Sequence, residues 1–138
     1  MTSKPGQTDE IVDIGIPEVD EEHRFQFRLL KNMQAAIDRS DRADALAFLQ
    51  QLHGYSEAHF AAEQVFMRLH SYPAYHTHER EHGDLLFELR RMIEAARNGG
   101  DLRECPGMIR KWLVSHINTS DSAFGKWVKA EEQRTTQS

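Results

Sequence analysis

YHTHEREHGDLLFELRRMIEAAR, residues 75–97, decides the fold of this chain. His78, His82, Leu85, Leu89, Met92 and Ala96 recur at alternating steps of four and three, the period of one face of an α-helix packed on a core. The spacing predicts a helix over 75–97, entered from a turn at Pro73 and ended by Gly99-Gly100. Its core stripe opens with two imidazoles, which sets the question the rest of the chain has to answer.

Downstream, Pro106 suits the first turn of a helix that carries Ile109, Leu113 and His116, and polar residues take over after Ala130, so 131–138 reads as a frayed tail. Upstream, Leu49, Leu52, Ser56, His59, Glu63 and Phe66 form a second stripe, from a cap at Ser40 or Asp41 to about Leu69. Further upstream, Asp20 is the expected N-cap of a helix over 21–38. Glu21 and Glu22 suit the positive end of its dipole, and His23, Phe27, Leu30, Met33 and Ile37 line its inner face. Residues 1–19 contain Pro5, Gly6, Gly15 and Pro17 without helical periodicity and read as an extended arm. No segment alternates with period two, and the connections are short enough to force antiparallel neighbours. The expected fold is all-α: an up-down-up-down antiparallel four-helix bundle over 20–130 with an extended N-terminal arm.

Composition narrows the function. A chain of 138 residues, 39% hydrophobic, supports one domain with a core. Its formal charge of −5 and the lack of a Lys/Arg cluster argue against nucleic acid as a partner. The N-terminal MTSKPGQTDE has no apolar region, and no stretch has the length of a membrane span, so a cytoplasmic protein without membrane attachment is expected. The single cysteine, Cys105, forms no internal disulfide and reads as incidental. Eight histidines stand out beside it.

Most of those histidines fall on the seams. His23 lies early in the first helix, His59 and Glu63 late in the second, His78 and His82 early in the third, and His116 well along the fourth. In an antiparallel bundle these four places coincide in height. Each pair four apart projects from one helix face with Cβ atoms roughly 5–6 Å apart, so each reaches a common site. Buried imidazoles and carboxylates without partners cost kilocalories per mole, and a metal centre satisfies them. Asp121 is five residues after His116, a spacing that an ideal helix turns away by roughly 140°. A π-type turn near 117–121 is therefore expected, a distortion frequent at functional sites. His76 faces away from His78, His53 is off the face of His59, and His70 lies roughly 16 Å along the axis from His59; all three read as solvated or packing residues. Imidazole suits iron, zinc, copper and nickel alike, but seven ligands over four helices exceed one tetrahedral zinc and fit two ions bridged by carboxylates. Di-iron bundles rich in carboxylates use two Glu-x-x-His motifs; the one match here, Glu79 with His82, reads as accidental.

The leading His23, the HFAAE of 59–63, the HxxxH of 78–82 and the HINTSD of 116–121 together resemble the hemerythrins, in particular the single-domain bacterial members, from about Gly15 to Asp121. The lead-in GIPEVDEEH, residues 15–23, and the run from His59 to Met67 are similar to the family as well. The resemblance implies that His78, His82 and His116 bind one iron, His23 and His59 bind the other, and Glu63 and Asp121 bridge them beside an oxo or hydroxo group. It further implies reversible O2 binding at the iron with two histidines, with azide or NO as other ligands and an apolar wall of Phe60, Trp112, Leu113 and Ile117. Plain core packing accounts for those four residues equally well, and for Tyr55, Tyr72 and Tyr75 it is the preferred reading. Two departures stand out: Thr8 where many bacterial relatives carry an arm tryptophan, and Gln64 where a second glutamate is frequent. On the same centre, a di-iron redox enzyme acting as peroxidase, ferroxidase or NO reductase is the alternative. An oxygen-consuming enzyme or a signalling partner acting in trans is the macromolecular partner that the resemblance suggests.

Overall fold

The computed structural model describes residues 10–137. Most of the arm, Thr8 included, lies outside the described residues. Helix α1 is Pro17–Asp38, α2 is Arg42–Leu69, α3 is Tyr75–Arg97 and α4 is Cys105–His116; α4 runs through a π turn, Ile117–Asp121, into α5, Ser122–Gln137. The last three form one continuous rod, because the residues flanking the π turn keep right-handed helical angles. The described residues contain no strand, and the four rods make an antiparallel bundle: α1 packs on α2 and α4, and α3 packs on α2 and α4.

Helix ends follow local chemistry. The Asp41 side chain accepts from the Asp44 N–H at 3.0 Å and starts α2. Gly99, at φ +91°, ends α3, and the Gly100 N–H donates to the Ala95 carbonyl at 2.8 Å. Two ends differ from expectation. α1 begins at Pro17, not after Asp20: proline at the first helical position has no N–H to lose and its φ is already helical. Asp20 therefore lies inside the first turn, where its carboxylate accepts the Ile14 N–H at 2.7 Å and ties the arm to the helix. At the other end, the helix continues past Ala130 to Gln137, and the His70 ring meets Glu131 at 2.6 Å, joining α2 to the polar stretch expected to fray.

The core has two parts. The larger is built on Leu30, Met33, Leu49, Leu52, Leu89 and Ile109, and the smaller packs Ile14, Ile16 and Val19 against Met67, Phe124 and Val128. The smaller cluster closes the arm over one end of the bundle. Gly125 permits that closure: a Cβ there would stand 2.1 Å from the Ile14 carbonyl oxygen. Asn118 holds the arm from the π turn, accepting from the Val12 N–H at 3.0 Å and donating to the Glu10 carbonyl at 2.7 Å.

Candidate metal centre

The six seam residues, His23, His59, Glu63, His78, His82 and His116, and Asp121 are all buried to 4% exposure or less. They converge at the end of the bundle under the arm. Ligand-type atoms of Glu63, His78, His82, His116 and Asp121 lie within 4.8 Å of one another, and so do those of His23, His59 and Glu63. The π turn brings Asp121 into this set: one extra residue in the turn returns position 121 to the face of His116. Within it the Thr119 hydroxyl donates to the Ser115 carbonyl at 2.6 Å.

The two carboxylates divide their oxygens. Glu63 Oε1 lies 2.9 Å from His78 Nε2 and 3.2 Å from His82 Nε2, while its Oε2 lies 3.4 Å from His59 Nε2. Asp121 Oδ1 lies 2.7 Å from His78 Nε2 and 3.1 Å from His116 Nε2, while its Oδ2 lies 3.0 Å from His23 Nε2. One oxygen of each acid thus faces two imidazoles of the trio His78, His82 and His116, and the other faces one imidazole of the pair His23 and His59.

Most of these contacts lack hydrogen-bond alignment. The Nε2 atoms of His23, His59, His82 and His116 and both oxygens of Glu63 are buried without a hydrogen-bond partner among the described residues. Such orphaned atoms are costly unless a cation takes them up, and the donor set, imidazole nitrogen with carboxylate oxygen, suits a first-row transition metal. Electrostatics carry the same strain. Burial, with the negative Asp121 beside it, pushes the Glu63 carboxyl up. Against the burial of Asp121, contacts from His116, His23 and His78 hold its carboxyl well below the usual range. Burial opposes a proton on His78, but Asp121 and Glu63 outweigh it and raise the ring to about 9. Burial, with His78 and His116 nearby, lowers His82 to about 2.

Around the cluster, three of the five outward nitrogens meet acceptors, whereas His23 Nδ1 is buried without a hydrogen-bond partner among the described residues. His59 Nδ1 meets Glu22 Oε1 at 3.0 Å, His82 Nδ1 meets Gln64 Oε1 at 2.8 Å, and His116 Nδ1 meets Glu81 Oε2 at 2.8 Å. An acceptor at Nδ1 holds the proton there and leaves the Nε2 lone pair directed inward, as a ligand requires. Sequence reasoning missed Glu22 and Glu81, which resemble ordinary solvated acids, and treated Gln64 only as a departure. The signal was one of phase: Glu22 and Glu81 each directly precede a seam histidine.

Phe60 stacks parallel on His82 with ring centroids 4.0 Å apart and lies 5.6 Å from His59, so it borders both the trio and the pair. Trp112 stacks on His116 at 4.5 Å, and Leu113 and Ile117 are buried at 1% exposure. On the other side, a cavity of about 260 Å³ lies between the start of α1 and the second half of α2, lined by Ile16, Val19, Glu22, Ala62, Glu63 and Phe66 among others. His76 is exposed, His53 and His70 are half-buried, and none of the three joins the cluster. Glu79 accepts from the Tyr75 hydroxyl at 2.9 Å and stays out of it too.

The profile of the hemerythrin HHE cation-binding domain matches residues 14–128, which span the arm's docked end, all seven clustered residues and the π turn. The chain belongs to the hemerythrin family. A bacteriohemerythrin of Stenotrophomonas maltophilia is 30% identical over 122 residues, covering 86% of this chain and 78% of its own length. A myohemerythrin of Theromyzon tessulatum is 29% identical over 121 residues, covering 88% and 92%. In three dimensions, the crystal structure of a wild-type hemerythrin superposes with a TM-score of 0.81 at 21% identity, covering 87% of this chain and 94% of the other. The chain therefore shares the hemerythrin fold. No helix among the described residues is long and apolar enough to cross a membrane.

Proposed function

We propose that this hemerythrin binds O2 reversibly at two iron ions, one held by His78, His82 and His116 and the other by His23 and His59, with Glu63 and Asp121 spanning both. The observation that carries this reading is the division of each carboxylate's oxygens between the trio and the pair of imidazoles. A single ion would gather both acids to one centre and leave the pair without a cation, whereas two ions use every inward atom. The chain offers three ring nitrogens on one side, from His78, His82 and His116, and two on the other, from His23 and His59, so an ion held by the pair would have fewer protein ligands and more room for a small molecule.

The chemistry that two ferrous ions would supply at these residues is the electrons that capture of O2 requires. With two carboxylates and a hydroxide such a centre would carry a net charge of only about +1, and neutral imidazoles would do little to stabilise higher oxidation states, which would favour release over cleavage. The chain's own part is to keep the centre dry. Phe60, Trp112, Leu113 and Ile117 wall one side with apolar surface, and Ile16, Val19, Ala62 and Phe66 line the cavity on the other, which offers a small apolar molecule an approach to Glu63. Glu22, Gln64 and Glu81 keep three imidazoles in the tautomer that points a lone pair inward.

The test is an iron count with visible absorption spectra of the reduced protein, the reduced protein in air, and the oxidised protein with azide. Two irons per chain, and a charge-transfer band that appears in air and disappears under vacuum, are expected. A reduced protein that never develops such a band is not a reversible oxygen binder. Turnover of peroxide or NO faster than autoxidation would make it an enzyme instead.

A further inference from the structure

We propose that Glu81 is a positioning residue: it clasps the π turn and so keeps His116 and Asp121 in register for the metal centre. The proposal rests on the reading of the seven buried residues as that centre. Glu81 lies on α3 between His78 and His82, one-third exposed, and it reaches across to the last rod. Its Oε2 accepts from His116 Nδ1 at 2.8 Å, and the Ser120 hydroxyl donates to the same carboxylate, 2.7 Å from Oε2 and 2.9 Å from Oε1. His116 directly precedes the π turn and Ser120 lies within it, next to Asp121. One carboxylate therefore grips both ends of the distorted segment.

The other two acceptors do less. Glu22 and Gln64 each meet one imidazole, on α2 and α3, where the helices are regular and each ligand pair is four apart without help. Only in the last rod does the spacing of five demand a widened turn. Were that turn to relax to α-helical hydrogen bonding, Asp121 would swing by about 100° and its oxygens would leave the imidazoles. Glu81 opposes this relaxation, because shifting Ser120 by one register step breaks its bond to the carboxylate while His116 stays behind. The clasp also links the two irons' ligands, since the same rod supplies His116 to the trio and the acid that faces His23.

The probe is Co(II), titrated into the metal-free chain and followed by its visible d–d absorption, for the parent, E81A, E81Q and S120A. Thermal midpoints of the same metal-free proteins are recorded alongside. E81A is expected to lose about 10- to 100-fold in Co(II) affinity and to change the shape of the d–d band, with its metal-free midpoint close to the parent's. E81Q keeps an acceptor for the imidazole and a polar partner for the serine, so it should recover most of the affinity. S120A, which removes one arm of the clasp, should lose about five-fold. Equal Co(II) affinity in parent and E81A overturns the proposal, as does a loss that E81Q fails to recover. If E81A does not fold, S120A decides: parent-like affinity there overturns it. A parent that takes up no Co(II) refutes the metal centre itself, an outcome distinct from a parent that binds and an E81A that binds as well.

Discussion

Away from the arm, the bundle is filled by Leu30, Met33, Leu49, Leu52, Leu89 and Ile109, none more than 1% exposed; under the arm it buries five imidazoles and two carboxylates almost as deeply. Both halves belong to the same four rods and the same periodic stripes. The apolar half satisfies itself, because every group it hides gains from leaving water. The polar half leaves ring nitrogens and a carboxylate unpaired until cations arrive. The difference teaches that folding and metal binding are divided along the axis: the far half supplies the stability that holds the near half in an unfavourable but ready arrangement.

The strongest way to break this comparison is to weaken the far half. Leu89→Ala should cost about 2–5 kcal/mol in denaturant unfolding of the metal-free protein, and the chains that remain folded should bind Co(II) or iron with unchanged affinity. If metal affinity falls in proportion to stability, the halves are not separable. Replacing a cluster residue should act in the opposite direction. His82→Leu removes a buried ring with an orphaned nitrogen from between His78 and His116, so the metal-free protein should gain about 1 kcal/mol. The same variant should lose most of the stabilisation that metal confers on the parent, which is about 4 kcal/mol for each site at free metal a thousand times its Kd. A metal-free His82→Leu protein much less stable than the parent would mean that the polar half is already satisfied without metal.

A third effect is a pH dependence. His78 is raised to about 9 in the metal-free cluster, so near neutrality it carries a proton that a metal ion must displace. Because its folded value lies above the ordinary one, this ring stabilises the metal-free fold fully below about pH 6.5, and the contribution fades as pH climbs through 9. Both trends point the same way for binding. Metal affinity, measured by competition with a chelator of known pH dependence, should rise with pH by up to about tenfold per unit for each proton released, and level off above 9. A flat profile between pH 6.5 and 9 would show that His78 is neutral before metal binds.

How much of this could be read from the chain divides along the same line. The seam positions were legible because helical period and antiparallel height are both counting arguments, and together they gathered six residues from four helices. The π turn was legible for the same reason: a step of five from His116 to Asp121 does not fit an α-helix, so the turn had to widen. The helix ends were less so. Pro17 looks like part of a breaker-rich arm, yet at the first helical position it begins α1, and the polar run after Ala130 gave no hint that His70 would anchor it through Glu131. Glu22 and Glu81 escaped for a different reason. Acids on a helix surface are usually solvated, and only the orientation of a neighbouring helix decides that one of them meets a ring nitrogen. Periodicity assigns a residue to a face but not to a partner.

The most direct test of two bridged ions is X-ray diffraction from crystals of the iron-loaded protein, with anomalous data on either side of the iron absorption edge. Two iron peaks about 3–4 Å apart are expected. One should lie within bonding distance of His78, His82 and His116, the other of His23 and His59, with Glu63 and Asp121 each giving one oxygen to either peak. A single peak, or two that share no carboxylate, would contradict the account.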